Sequence, residues 1–176
     1  MSDVTGAPEV ASLADLLAVA YQIEANAVER YELLAAQMEA HNNPELVGVF
    51  RDMARAEAIH RDEIRRLAGD IDVVGHARKV ARWTKGESPE EADLGQVHYM
   101  MTPQRALDLV LAAEKRALAF FSFIAATATD PGIKKMAEEF AEEETEHVNL
   151  VYRLMHKYGA PDYAPLDDLD PPIAQG

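Results

Sequence analysis

The sequence predicts an all-α protein: a four-helix bundle made of two antiparallel helical hairpins joined by a long crossover. Three observations lead there. Apolar residues recur at four-three spacing in four separate segments, the stripe that bundle helices bury. Each segment is bracketed by capping and helix-breaking residues. The second half also repeats the first. Pro44, Glu57 and His60 match Pro131, Glu144 and His147 at a constant offset of 87, and Glu24, Ala27 and Tyr31 match Glu114, Ala117 and Phe121 at an offset of 90. The three-residue difference falls in a turn, where length changes are cheap. Two copies are too few for a solenoid, so a closed bundle is preferred. No segment alternates with period two, and no strand is expected.

Taken in order, residues 1 to 10 read as a polar leader. Ser12 is an N-cap with Asp15 three positions on, and a helix follows to about Ala40. His41, Asn42, Asn43 and Pro44 break it. Asn43 caps the second helix with Pro44 in its first turn, ending near Gly69. Residues 70–102 form an irregular crossover holding a short helix-like stretch from His76 to Trp83. Thr102 and Pro103 open the third long helix, to about Thr127, and Asp130 and Pro131 open the fourth, ending near Gly159. One domain thus spans 12–158. The Pro- and Asp-rich tail, 159–176, cannot continue a helix.

Composition removes several function classes. With 176 residues and 48% hydrophobic content the chain can bury a real core. A net charge of −14 argues against nucleic acid or an anionic membrane surface as partner. No stretch reaches the roughly 18 apolar residues that span a bilayer, and the acidic N-terminus does not read as a signal peptide. Zero cysteine excludes disulfides, thiolate metal sites and a cysteine nucleophile. The simplest address is the cytoplasm.

The seams carry the chemistry. The first helix gives Leu13, Leu17, Ala20, Glu24, Ala27, Tyr31, Leu34 and Met38; the second gives Leu46, Phe50, Met53, Glu57, His60, Ile64 and Leu67. The third gives Leu107, Val110, Glu114, Ala117, Phe121 and Ile124, and the fourth Ile133, Ala137, Phe140, Glu144, His147, Val151 and Leu154. Apart from the phenol of Tyr31, the ionisable members are Glu24, Glu57, His60, Glu114, Glu144 and His147. Glu24, His60, Glu114 and His147 lie at similar heights from their hairpin turns, within about one turn at 1.5 Å per residue, and Glu57 and Glu144 lie one turn nearer on the same faces as their histidines. Four bare carboxylates in an apolar core would each cost several kcal/mol to desolvate and would repel one another. Two divalent cations balance four carboxylates, and two neutral histidines complete the coordination. One glutamate from each of two helices and a Glu-x-x-His unit from each of the others is the ligand set of di-metal carboxylate bundles. Oxygen and imidazole donors without sulfur suit iron or manganese.

Glu24-x-x-Ala27-x-x-x-Tyr31, Glu57-x-x-His60, Glu114-x-x-Ala117 and the run Ala141-Glu-Glu-Glu-Thr-Glu-His147 resemble the rubrerythrin branch of the ferritin-like superfamily over residues 12 to 158. The resemblance implies a four-helix bundle, often a homodimer, whose two iron ions react with O2 or peroxide. It implies that Glu24 and Glu114 each bind mainly one ion beside the nearer histidine, while Glu57 and Glu144 bridge. Tyr31 would hydrogen-bond a ligand carboxylate or act as a redox-active phenol. Two departures stand out. Rubrerythrins add a cysteine-ligated rubredoxin domain; without cysteine, the electron donor here is expected to be separate. They also carry a seventh ligand where this chain has Ala117, which leaves a ferroxidase-like set of four glutamates and two histidines.

Other features receive plainer readings. His41, His98 and His156 are expected at the surface, and His76, Arg78, Lys79, Arg82 and Lys85 form a basic, solvated face. Met38, Met53 and Met136 read as core filler. Three function classes follow: an oxidoreductase using O2 or peroxide, an iron storage or transfer protein, and a structural bundle with a vestigial site.

Overall fold

A computed structural model of the chain describes residues 7–81 and 102–158. Four long helices and one short helix account for most of them: α1 (Leu13–Ala40), α2 (Pro44–Ala68), α3 (Val73–Val80), α4 (Pro103–Thr127) and α5 (Pro131–Lys157). There is no strand among the described residues.

The helices begin where the capping residues place them. Ser12 accepts from the Asp15 amide, Asn43 from Leu46, Thr102 from Arg105, and Asp130 from both Gly132 and Ile133. Each bond satisfies an amide that has no partner inside the helix. Pro44, Pro103 and Pro131 occupy first-turn positions, where no amide hydrogen is needed. Gly69 ends α2 at φ 58°, in the left-handed region that a side chain would oppose. The short helix expected around His76 lies slightly earlier, at Val73–Val80, capped by Asp72. Trp83, His98, Arg82, Lys85 and the 159–176 tail lie outside the described residues.

The α1–α2 and α4–α5 hairpins form the two halves of a four-helix bundle. The core falls into two apolar clusters. One joins the C-terminal half of α1 to the N-terminal half of α2, the start of α4 and the end of α5, through residues such as Met38, Phe50, Leu107 and Val151. The other joins the opposite halves, through Leu16, Ile64, Phe120 and Phe140. The hairpin turns therefore lie at opposite ends of the bundle. An ion pair between Lys157 and Glu45 ties the end of α5 to the start of α2, as this topology requires. α3 packs against α1 beside the second cluster, so α1 is covered on an additional face and Leu16 to Tyr21 are buried without a break.

Three apolar seam positions depart from expectation. Leu13 and Leu67 are exposed, at 41% and 60%, and Leu154 is only half-buried. Beside Leu67 and Leu154, Ala68 and Met155 are buried instead. A straight helix with 3.6 residues per turn drifts about 20° per heptad from a four-three seam, so the stripe slips by one position towards its ends.

Candidate metal centre

Between the two apolar clusters lies a polar layer. On α1 the clusters stop at Ile23 and resume at Ala27, with Glu24 between them; Glu57 and His60 on α2, Glu114 on α4, and Glu144 and His147 on α5 fall in the matching gaps. The four carboxylates are each 2–3% exposed and are the buried acidic residues among those described. All six residues singled out in the sequence thus share one layer. Glu29, Glu32, Glu63, Glu142 and Glu146 are exposed, as their off-seam positions demand.

Within the layer, His147 Nδ1 stands 3.3 Å from Glu57 Oε1 and 3.5 Å from both Glu114 Oε2 and Glu144 Oε2. His60 Nδ1 lies 3.4 Å from Glu57 Oε2. The two imidazoles stack with centroids 5.5 Å apart and planes 11° from parallel. Two groups could each hold a metal ion: Glu57, His60 and His147, and Glu114, Glu144 and His147. Glu57 reaches both histidines, while Glu24 stands beside Glu57 and shares a hydrogen bond with it. The carboxylates are sealed, but the His60 and His147 side chains are 26% and 15% exposed. The layer is therefore approachable from its histidine edge. Glu143, half-buried, stands near this edge within the influence of both imidazoles.

Glu114 has additional partners. Tyr31, fully buried, donates its hydroxyl to Glu114 Oε1, and Arg30 Nη2 reaches the same oxygen at 2.7 Å. Tyr31 thus hydrogen-bonds one of the six residues. Arg30, only 1% exposed, is the member that sequence reasoning passed over. Its signal was a second stripe on α1, Leu16, Ile23 and Arg30 at seven-residue spacing, whose first two members are buried.

The electrostatics are those of crowded carboxylates. Burial, followed by the neighbouring Glu57, pushes Glu24 well above the ordinary range. Burial lifts Glu144 to about 8. For Glu114 burial is outweighed by Arg30 and His147, which hold it down at about 2. Burial disfavours charge on His147, yet Glu114 and Glu144 overcome it and raise its pKa to about 11. His60 is raised chiefly by Glu57. In the metal-free protein, protons thus do part of the work of cations. Glu57 Oε2, Glu144 Oε2, His60 Nδ1 and His147 Nδ1 are buried without an aligned hydrogen-bond partner. Such converging orphaned atoms fit a cation better than a finished polar cluster.

Comparison with known proteins agrees with this arrangement. Residues 15–98 match the rubrerythrin family. A crystal structure of an uncharacterized conserved protein from Magnetospirillum magnetotacticum is 34% identical, superposes with a TM-score of 0.65, and aligns over 87% of this chain and 99% of its own. No curated protein gives a significant match. No helix among the described residues is long and apolar enough to cross a membrane.

Proposed function

Because the chain belongs to the rubrerythrin-like branch of the ferritin-like superfamily, we propose that it is a di-iron carboxylate protein whose centre reacts with O2 or peroxide. The observation that carries the proposal is the layer of four buried carboxylates and two histidines dividing the core. Glu24 with His60 and Glu114 with His147 would each hold one ion, and Glu57 and Glu144 would lie between them; manganese could replace iron in the same donor set. Bound as a pair, the metals supply the two electrons that reduce the oxidant.

The chain's own residues then have definite tasks. The four carboxylates balance two divalent ions, which removes the repulsion they suffer without them. The apolar clusters above and below keep water from the carboxylates, and the histidine edge admits a small oxidant. Tyr31 keeps its proton, since burial and Glu114 raise the phenol well above its ordinary value, and spends it in a hydrogen bond that orients Glu114. The sequence has no cysteine, so the electron donor is a centre other than a thiolate site of this chain.

A second reading, iron oxidation with storage or transfer, draws on Ala117, buried where rubrerythrins carry their seventh ligand. Stopped-flow mixing of the iron-loaded protein with O2 or peroxide separates the two. Repeated consumption of oxidant in the presence of a reductant supports the oxidoreductase. A single stoichiometric oxidation with retained iron supports iron handling. Loss of oxidant no faster than with free iron removes both.

A further inference from the structure

We propose that the face formed by α2 and α5 around His60 and His147 is where a separate one-electron carrier protein docks, bringing its cofactor edge to the two imidazoles from within a basic surface. The inference rests on the di-metal reading above and places the partner which that reading needs.

Of the six polar residues, only the histidines reach the surface appreciably. The four carboxylates are 2–3% exposed, whereas the His60 and His147 side chains are 26% and 15% exposed. Nδ1 of each ring is buried and turned to the carboxylates. The opposite ring edge, with Nε2, is therefore the part turned outwards. An ion held at Nδ1 has a conjugated ring as its covalent route to solvent. Tyr31, bonded to Glu114, is fully buried and offers no such exit.

The rings sit in an apolar strip. Leu67, seven residues after His60 on the same helix face, is 60% exposed. Leu150 and Leu154, three and seven residues after His147, are half-buried, as are Val49 and Met136, each eleven residues before its histidine. The offset of 87 pairs Val49 with Met136 and Leu67 with Leu154, so both helices contribute alike. At 1.5 Å per residue and about 10 Å between axes, the strip measures about 27 Å by 10 Å. A contact of that size belongs with brief electron-transfer encounters, not with permanent subunit interfaces.

Charge selects the partner. Glu63 and Glu146 are exposed and Glu143 is half-buried beside the rings, and Arg66 offsets only Glu63, at 3.4 Å. The whole chain carries −14. This field draws in a basic carrier and repels an acidic one, a second copy of this chain included. Turning one peroxide into two waters takes up two protons and two electrons, so two encounters, each oxidising a carrier by one electron, restore the centre.

The test maps amide shifts of isotope-labelled, metal-free, full-length protein at low salt on adding cytochrome c, a basic carrier, or a plant-type ferredoxin, an acidic one. Cytochrome c should shift amides around His60, Leu67, His147 and Leu150, weaken as salt rises and leave α1 unmoved; ferredoxin should shift none. Glu63→Lys should weaken binding, and slow electron exchange of the iron-loaded protein with cytochrome c, by about three- to tenfold. Glu32→Lys makes the same charge change on the α1–α2 side and should do neither. Shifts centred on another face, equal losses in the two variants, or binding of ferredoxin overturn the proposal, and the wild-type map decides alone should a variant fail to fold. Iron-loaded protein that consumes peroxide no faster than free iron removes the di-iron reading and the proposal with it. A working centre with shifts elsewhere overturns the proposal only.

Discussion

Replacing Glu144 by glutamine removes a charge from the centre while keeping the shape of the side chain and its ability to donate a hydrogen bond. The folded protein raises Glu144 from 4.5 to about 8 through burial, opposed by His147 and reinforced by Glu114. A folded-state pKa above the unfolded value means that the folded protein binds the extra proton. The associated stability is complete below about pH 4.5 and is lost as the pH climbs to about 8. At 1.36 kcal/mol per pH, the full loss is about 5 kcal/mol. Sharing of protons with Glu24 divides that penalty, leaving about 2–3 kcal/mol for this residue. Metal-free Glu144→Gln should therefore match wild type near pH 4.5 and exceed it at pH 8.5 by that amount, or by about 6 °C in Tm for a chain of this size. Thermal unfolding in chelator at the two pH values measures it. The same variant should lose most of the stabilisation that added iron or manganese gives the wild type. A metal-free variant less stable than wild type at pH 8.5, or one shifted equally at both pH values, would refute the reasoning.

Other perturbations follow from the same contacts. Tyr31→Phe removes the hydroxyl donated to Glu114 and should cost about 1.5–2 kcal/mol in urea unfolding, with the fold kept by Phe50 stacking on the ring. Phe120→Ala empties a fully buried site in the second apolar cluster and should cost about 3–5 kcal/mol, whereas truncating the exposed Phe123 should cost less than 0.5 kcal/mol, a contrast that denaturant titration reads directly. His76 bonds Asp15 at 2.7 Å and docks α3 on the start of α1; burial of Asp15 is outweighed by His76 and Ser12, so its pKa is lowered. That stability is present above the unfolded value of 3.8 and is lost as the pH falls through the lower folded one. Asp15→Asn should therefore speed amide exchange in Val73–Val80 at neutral pH and have no added effect in strong acid.

Much of this was readable from the residues alone because the signals are local and physical. Ser12, Asn43, Thr102 and Asp130 mark the helix starts since each supplies an acceptor for an orphaned amide, and the structure uses all four. The Glu-x-x-His units and the lone glutamates fall on four-three seams, and the seams place them in one layer. Four things were less legible. Leu13, Leu67 and Leu154 follow the seam in sequence, but the helices drift from it over their full length. Arg30 lies beside the seam rather than on it, and its burial follows from a partner 84 positions away. His76 stands among basic residues in the sequence, while its partner Asp15 lies on another helix. The grouping of the six polar residues depends on how the hairpins meet, which places Glu57 within reach of both histidines. Local patterns fix which residues face inward, while contacts between hairpins decide which of them touch.

The most direct measurement is anomalous diffraction at the iron and manganese edges on crystals of metal-replete protein. The account predicts two ions in the layer between the apolar clusters, with Glu24, Glu57, His60, Glu114, Glu144 and His147 as their protein ligands. An empty layer, or an ion held by other residues, would contradict it.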